Sequence, residues 1–134
     1  MNIAVRYHTR TGNTKRLAEA AAQAAGVTAE SVSVALKEKA DLVFLGSSVY
    51  GGKPDREIIN FINANSGKIG KIVVFGSTAL KRSVLGKIKE EASKHGIAVH
   101  DKEFSCSGSF MLLHKSRPND EDCEQLKKFV KELL

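Results

Sequence analysis

The sequence predicts an α/β protein with an open, doubly wound sheet of five parallel strands and helices on both faces. Short apolar runs, of the kind that buried parallel strands require, recur along the chain. Helical patterns, with apolar residues at three- and four-residue steps, separate those runs. No repeat, linker or low-complexity segment interrupts the alternation, so we expect residues 1–134 to form a single domain.

The first half of the chain supplies three of these strands. Residues 2–7 (NIAVRY) form the first strand, and a helix over residues 13–25 ends at Gly26, a residue suited to helix termini. Residues 30–36 (ESVSVAL) alternate weakly and predict a short edge strand. Residues 41–47 (DLVFLGS) are largely apolar, as expected for a central strand covered on both faces. The apolar face of the first helix comprises Leu17, Ala18, Ala21 and Ala25.

A second helix and the fourth strand follow. Pro54 suits the first turn of a helix, and Asp55 and Glu57 place carboxylates near the positive end of its dipole. Residues 71–77 (KIVVFGS) predict the next buried strand. The buried face of the second helix is expected to comprise Ile58, Ile59, Phe61 and Ile62.

The remaining residues add two helices and the last strand. A helix over residues 82–95 stops at Gly96, and residues 97–106 (IAVHDKEFSC) form a more alternating strand. Asn119 can cap a closing helix that begins at Asp120. The inward residues are expected to be Val84, Leu85, Ile88 and Ala92 in the third helix and Leu126, Phe129, Val130 and Leu133 in the fourth.

Composition and charge narrow the class of protein. No apolar run reaches about 18 residues and the N-terminus lacks the features of a signal peptide, so we expect a cytoplasmic protein without a membrane span. The formal charge of +6 comes from lysines scattered over several helices, without the aromatic stripe of single-strand binders, so nucleic acid is not the expected partner. Cys106 and Cys123 form no C-x-x-C or metal pattern and are expected to be free thiols, and the histidines lack metal-ligand spacing.

Three loops leave the carboxyl ends of predicted strands, where doubly wound sheets bind their ligands. They are residues 8–13, 47–53 and 76–82, and all are rich in Gly, Ser or Thr. Their shared composition therefore predicts a ligand site at the edge of the sheet where these strands end.

The first of these loops has the composition of a phosphate site. In residues 8–14 (HTRTGNT), Thr9, Thr11 and Thr14 offer hydroxyls, and Gly12 permits a positive φ or a close backbone approach. The helix that follows presents unpaired N–H groups and its positive dipole end, which suit a phosphomonoester dianion. Neither G-x-x-x-x-G-K-[ST] nor G-x-G-x-x-G is present. The alternative is that a threonine or asparagine merely caps the helix.

In several of its segments the chain resembles a flavodoxin. T-x-T-G-N-T at residues 9–14 is similar to the phosphate loop that this family uses for flavin mononucleotide (FMN). The segments 46–58 (GSSVYGGKPDREI) and 75–84 (FGSTALKRSV) resemble its two flavin-ring loops, and 103–110 (EFSCSGSF) resembles the end of small flavodoxin-like domains. The resemblance covers essentially the whole chain and implies the strand order 2-1-3-4-5, with the flavin where the order reverses.

The resemblance implies a non-covalently bound FMN and assigns residues to it. The phosphate would be wrapped by Thr9, Arg10, Thr11, Gly12, Asn13 and Thr14. The ring and its surroundings would be contacted by Ser48, Val49, Tyr50, Gly51 and Gly52, and by Ser77, Thr78, Ala79 and Leu80.

Two of these positions carry the expected ring chemistry. Tyr50 would stack on one face of the ring, which disfavours the anionic reduced flavin; otherwise it is an exposed loop aromatic. The Gly51–Gly52 peptide would turn so that a carbonyl accepts a hydrogen bond from N5 of the reduced flavin, which favours one-electron transfer. The same glycines would also suit a tight turn before Pro54.

The sequence departs from many flavodoxins in two respects. The loop at residues 76–82 has no tyrosine, and the chain is basic, whereas electron-carrying flavodoxins tend to be acidic. A basic surface favours either the reduced anionic flavin or an acidic redox partner.

The leading hypothesis is an electron carrier rather than a substrate-converting enzyme, and a monomer or weak dimer. One alternative is an FMN-dependent reductase of quinones that uses NAD(P)H, although such enzymes in this superfold are usually longer and dimeric. The other is a regulatory or binding module that has kept the fold and lost the flavin.

Overall fold

Five parallel strands form one sheet in the order β2-β1-β3-β4-β5. The structure is a computed structural model that describes residues 1–9, 12–48, 56–78, 85–107 and 120–134. The strands are β1 (Ile3–Tyr7), β2 (Ala29–Ser31), β3 (Leu42–Ser48), β4 (Lys71–Thr78) and β5 (Ala98–Ser107). The predicted fold class and strand order are confirmed.

Four α-helices lie within the described residues, and the first has the predicted bounds. They are α1 (Asn13–Ala25), α2 (Arg56–Ala64), α3 (Leu85–Ser93) and α4 (Asp120–Leu133). Gly26, with φ of 74°, ends α1 as predicted, and its N–H bonds to carbonyls of the last turn. α4 begins at Asp120 as predicted. The predicted starts of α2, at Pro54 and Asp55, and of α3, at residues 82–84, lie outside the described residues, as does the predicted cap Asn119.

Alternation along the central strands divides the core between the two faces of the sheet. Phe44 and Phe75 pack against α1 and α4, whereas Val43 and Leu45 pack against α2 and α3. The predicted inward residues that are buried are Leu17, Ala18, Ala21, Ile58, Phe61, Ile62, Ile88, Ala92, Leu126 and Val130. Those that pack against the core while partly exposed are Ala25, Leu85, Phe129 and Leu133. Helices therefore cover both faces, as a doubly wound sheet requires.

The edge strand predicted over residues 30–36 is wrong in extent, because β2 covers only three residues. The N–H of Val34 donates to the carbonyl of Ser31 over 3.0 Å, so the chain turns directly after the strand. Val32 and Leu36 are nevertheless buried, since the turn folds onto the face that α2 covers. The weak alternation of apolar residues therefore arose from a turn and not from a strand, and its middle apolar residue, Val34, is exposed.

The other edge strand, β5, contains a bulge. Val99 pairs with Ile72 and Glu103 pairs with Val74, so three residues of β5 oppose a single residue of β4. Beyond the bulge, the ring of Phe104 lies 6.0 Å from that of Phe129 and joins β5 to α4.

Among the helices that the structure describes, none combines the length and the apolar composition that a membrane span requires.

Candidate functional site

The carboxyl ends of β1, β3 and β4 lie side by side at one edge of the sheet. Tyr7 pairs with Gly46, and Ser48 pairs with Ser77. The N–H of His8 extends this pairing by donating to the carbonyl of Gly46 over 3.1 Å. Of the three loops predicted to bind a ligand, residues 8–13 follow β1 directly, whereas the loops predicted from residues 47 and 76 begin within the last residues of β3 and β4. The structure brings these three strand ends together.

The turn between β1 and α1 is built around Thr9 and Gly12. The N–H of Gly12 donates to Oγ1 of Thr9 over 2.9 Å. Gly12 has φ of 90° and ψ of −10°, a left-handed conformation that costs a residue with a Cβ about 1–2 kcal/mol. The N-cap position of α1 is occupied by Gly12 and not by a threonine or asparagine, and Gly12 has no side chain that could cap the helix.

Thr14 packs the first turn of α1 against the sheet. It is fully buried, so its hydroxyl does not face solvent as an open donor would. Its Cγ2 methyl lies against Gly46 of β3: a Cβ built on Gly46 would stand 3.0 Å from that methyl and 2.6 Å from Cε2 and Cζ of Phe75. Gly46 is therefore needed for the packing of two neighbours. A glycine inside an apolar strand run is the sequence signal for such a close approach, and our sequence analysis did not use it.

The ends of β3 and β4 approach each other just as closely. A Cβ on Gly76 would overlap the backbone carbonyl oxygen of Ser47, its register partner. Ser47 is 1% exposed. Because β3 and β4 are paired in register up to Ser48 and Ser77, the loops after them leave from adjacent points of the sheet.

A sequence model of the family described as "Flavodoxin domain" matches residues 4–133. The chain belongs to the flavodoxin family. It is an FMN-binding, flavodoxin-like electron carrier. The predicted function and cofactor are therefore confirmed. The alternatives of a reductase and of a flavin-free module are not favoured. Flavodoxins pass electrons to redox partners.

Solved flavodoxins share the fold of this chain, and an uncharacterized protein resembles its sequence. A flavodoxin from the domain Archaea superposes with a TM-score of 0.80 at 22% identity, over 99% of this chain and 96% of that one. Oxidised flavodoxin 1 from Bacillus cereus superposes with a TM-score of 0.72 at 19% identity, over 98% and 96% of the two chains. An uncharacterized protein of Methanocaldococcus jannaschii is 28% identical over 116 residues, which are 78% of this chain and 77% of that protein.

Only part of the predicted flavin site of this flavodoxin falls within the described residues. Thr9, Gly12 and Thr14 form the turn and the start of α1 described above, and the backbone of Asn13 begins that helix. Ser48, Ser77 and Thr78 are described by their backbone, as the last residues of β3 and β4. The predicted residues outside the described part of the chain are Arg10, Thr11, Val49, Tyr50, Gly51, Gly52, Ala79 and Leu80.

Sequence reasoning also missed how α4 meets the start of α1. Nη2 of Arg16 lies 2.6 Å from Oδ1 of Asp120. Asp122, in the first turn of α4, is only 2% exposed. The first turns of α1 and α4 are thus joined beside the turn at Gly12.

A concavity of about 430 Å³ lies toward the amino ends of β1 and β3. Arg6 contributes to its lining but is 7% exposed. Burial lowers the pKa of its guanidinium, and Glu30, with Oε2 at 3.2 Å from Nη2, partly offsets that effect. Nε of Arg6 donates to the carbonyl of Val34 over 3.0 Å. Arg6 therefore anchors the turn after β2, which is a structural role.

The two cysteines lie on different elements of the fold. Burial raises the pKa of the Cys123 thiol, which lies half-buried on α4 as expected. Cys106 falls on β5 in register with Ser77. The described residues contain no group of three or more potential metal ligands.

Proposed function

We propose that the carboxyl edge of this flavodoxin holds one FMN without a covalent bond, and that the protein is a one-electron carrier. The observation that supports this best is the turn at Thr9 and Gly12. It starts a helix whose N-cap residue, Gly12, has no side chain, and it lies where the strand order reverses. Bound FMN supplies the redox chemistry, and the chain supplies binding, orientation and charge.

The proposed phosphate subsite consists of residues 9–14. The hydroxyl of Thr9 already accepts the N–H of Gly12, so its own hydrogen can point toward an anion. The start of α1 contributes backbone amides and the positive end of its dipole. Because Thr14 is buried, we assign it the anchoring of this turn. The proposed phosphate residues are Thr9, Arg10, Thr11, Gly12, Asn13 and Thr14.

The proposed ring subsite lies between the loops that follow β3 and β4. Those loops start from the register pair Ser48 and Ser77, so two stretches of chain flank one gap at the edge of the sheet. Tyr50 would cover one face of the ring, and the Gly51–Gly52 peptide would accept a hydrogen bond from reduced N5. The remaining proposed contacts are Ser48, Val49, Ser77, Thr78, Ala79 and Leu80.

We further infer that the redox partner presents an acidic surface. The formal charge is +6. Lys15, in the first turn of α1, and Arg56, at the start of α2, are exposed, and neither forms an ion pair with a described residue. Both follow loops of the proposed flavin edge, where a positive potential would steer an acidic protein toward the flavin.

The proposal includes a single domain over residues 1–134 that acts as a monomer or weak dimer in the cytoplasm, where thiols such as Cys123 stay reduced. One sheet supports both core clusters, so no part of the described fold is independent of the rest. Sedimentation at several concentrations would measure the oligomeric state.

Titration of the apoprotein with FMN tests the central proposal. Quenching of flavin fluorescence should saturate at one FMN per chain, and reductive titration of the complex should proceed in two separate one-electron steps. Failure to saturate would contradict the site, whereas a single two-electron step would contradict the one-electron role alone. Heat-unfolded protein provides the control for non-specific quenching.

A further inference from the structure

Three residues from three elements meet directly beneath the turn at Gly12. Gly46 of β3 lies between the Phe75 ring of β4 and the Thr14 methyl of α1. Phe75 and Thr14 are both fully buried. The backbone of Gly46 is fixed in addition, because its carbonyl accepts the N–H of His8 over 3.1 Å.

This packing leaves little freedom for the start of α1. A Cβ at position 46 would stand 2.6 Å from two ring carbons of Phe75 and 3.0 Å from Cγ2 of Thr14, closer than carbon atoms pack. The ring belongs to a close-packed core and cannot retreat without disturbing its neighbours. Of the two side chains that the added methyl group would meet, Thr14 lies in the first turn of α1, next to the turn at Gly12. The methyl group would therefore push the first turn of α1 away from the sheet.

We propose that Gly46 and Phe75 are positioning residues for the phosphate of FMN: they set the position of Thr14, and thereby of the amides that begin α1. This inference rests on the proposed phosphate subsite. Neither residue belongs to the set assigned to FMN, and both act through α1. Their effect is therefore specific to the phosphate and leaves recognition of the flavin ring unchanged.

The test compares the dissociation constants of FMN and riboflavin, which share the ring and differ in the phosphate. In Gly46→Ala, FMN affinity should fall by roughly tenfold or more, equivalent to about 1.4 kcal/mol of lost interaction. Riboflavin affinity should change less than about twofold. A merely structural defect would weaken both ligands alike.

Rescue provides the second measurement. Phe75→Leu removes the ring carbons that the new methyl group meets, so Gly46→Ala with Phe75→Leu should recover most of the FMN preference. Phe44 is equally buried in the same cluster, two residues before Gly46 in β3, and gives a matched control. Gly46→Ala with Phe44→Leu should show no recovery.

Thr14→Ser keeps the test decisive if Gly46→Ala does not fold. It removes the methyl group and retains the hydroxyl, so the proposal expects a selective loss of FMN over riboflavin in this variant too. Equal losses for both ligands, unchanged FMN affinity in the folded variants, or recovery with Phe44→Leu would each overturn it. A wild-type protein that binds FMN no more tightly than riboflavin would instead contradict the phosphate subsite itself, which separates the two failures.

Discussion

Oδ1 of Asn65 accepts a hydrogen bond of 3.0 Å from the backbone N–H of Leu36, across 29 residues of sequence. Nδ2 of the same side chain donates to the carbonyl of Phe61 over 2.9 Å. Asn65 is 6% exposed, so both bonds are shielded from water. One amide thus ties the end of α2 to the connection between β2 and β3, which contains no helix between residues 32 and 41.

Asn65→Ala should lower the free energy of unfolding by about 1–3 kcal/mol, because the N–H of Leu36 would remain buried without its acceptor. Urea denaturation measures the change. Asn60→Ala provides the matched control, since Asn60 is an exposed asparagine of α2, the helix that ends just before Asn65, and its effect should stay within about 0.5 kcal/mol. An Asn65→Ala variant as stable as wild type would show that the bond to Leu36 contributes nothing.

The same connection shows what the sequence could and could not predict. β1, α1, β3 and β4 follow from local apolar patterns and helix-end residues, and their bounds agree with the predictions to within a residue or so. The strand prediction for residues 30–36 is wrong in extent because Val32 and Leu36 are buried through a turn, which hydrogen bonds from Arg6 and Asn65 hold in place. Those partners are distant in sequence, and a local pattern does not encode them.

The candidate site, too, was predicted from the sequence only in part. The composition of residues 8–14 predicted a glycine turn before α1, and the structure has that turn. The fit of Gly46 between Phe75 and Thr14 depends on which strands are neighbours, so it emerged only with the fold. The ring contacts of Tyr50, Gly51 and Gly52 remain predictions.

Two glycines should respond in opposite ways to alanine. At Gly76 the added Cβ would overlap the carbonyl oxygen of Ser47, and backbone on both strands would have to shift, so Gly76→Ala should destabilise by about 2 kcal/mol or more. Gly86 is exposed in α3 with nothing within 4 Å of its built Cβ. Gly86→Ala should therefore stabilise by up to about 1 kcal/mol. Thermal unfolding of both variants beside wild type measures the contrast, and equal shifts would contradict the geometry.

Thr11→Val combined with Gly12→Val should weaken FMN binding by about a hundredfold or more, because a hydroxyl donor is lost and valine disfavours the left-handed conformation at position 12. The strain should cost about 1–2 kcal/mol of stability, so the variant should remain folded. Thr28→Val with Gly67→Val is the matched control, because both residues are exposed and lie away from the carboxyl edge. Fluorescence titration gives the two affinities, and wild-type affinity in the first variant would count against the phosphate subsite.

The positive potential proposed around the flavin should be measurable without knowing the redox partner. Oxidation of the FMN-saturated, reduced protein by anionic ferricyanide should slow as salt is added, whereas cationic hexaammineruthenium should show the reverse trend, because salt screens a positive surface around the flavin. Lys15→Gln with Arg56→Gln should lower the low-salt rate with ferricyanide by roughly threefold or more. Lys37→Gln with Lys39→Gln removes the same charge from exposed residues at the opposite edge and should change that rate much less. If both pairs slow ferricyanide equally, the net charge and not the flavin edge steers the acceptor, and the proposed acidic docking surface would be contradicted.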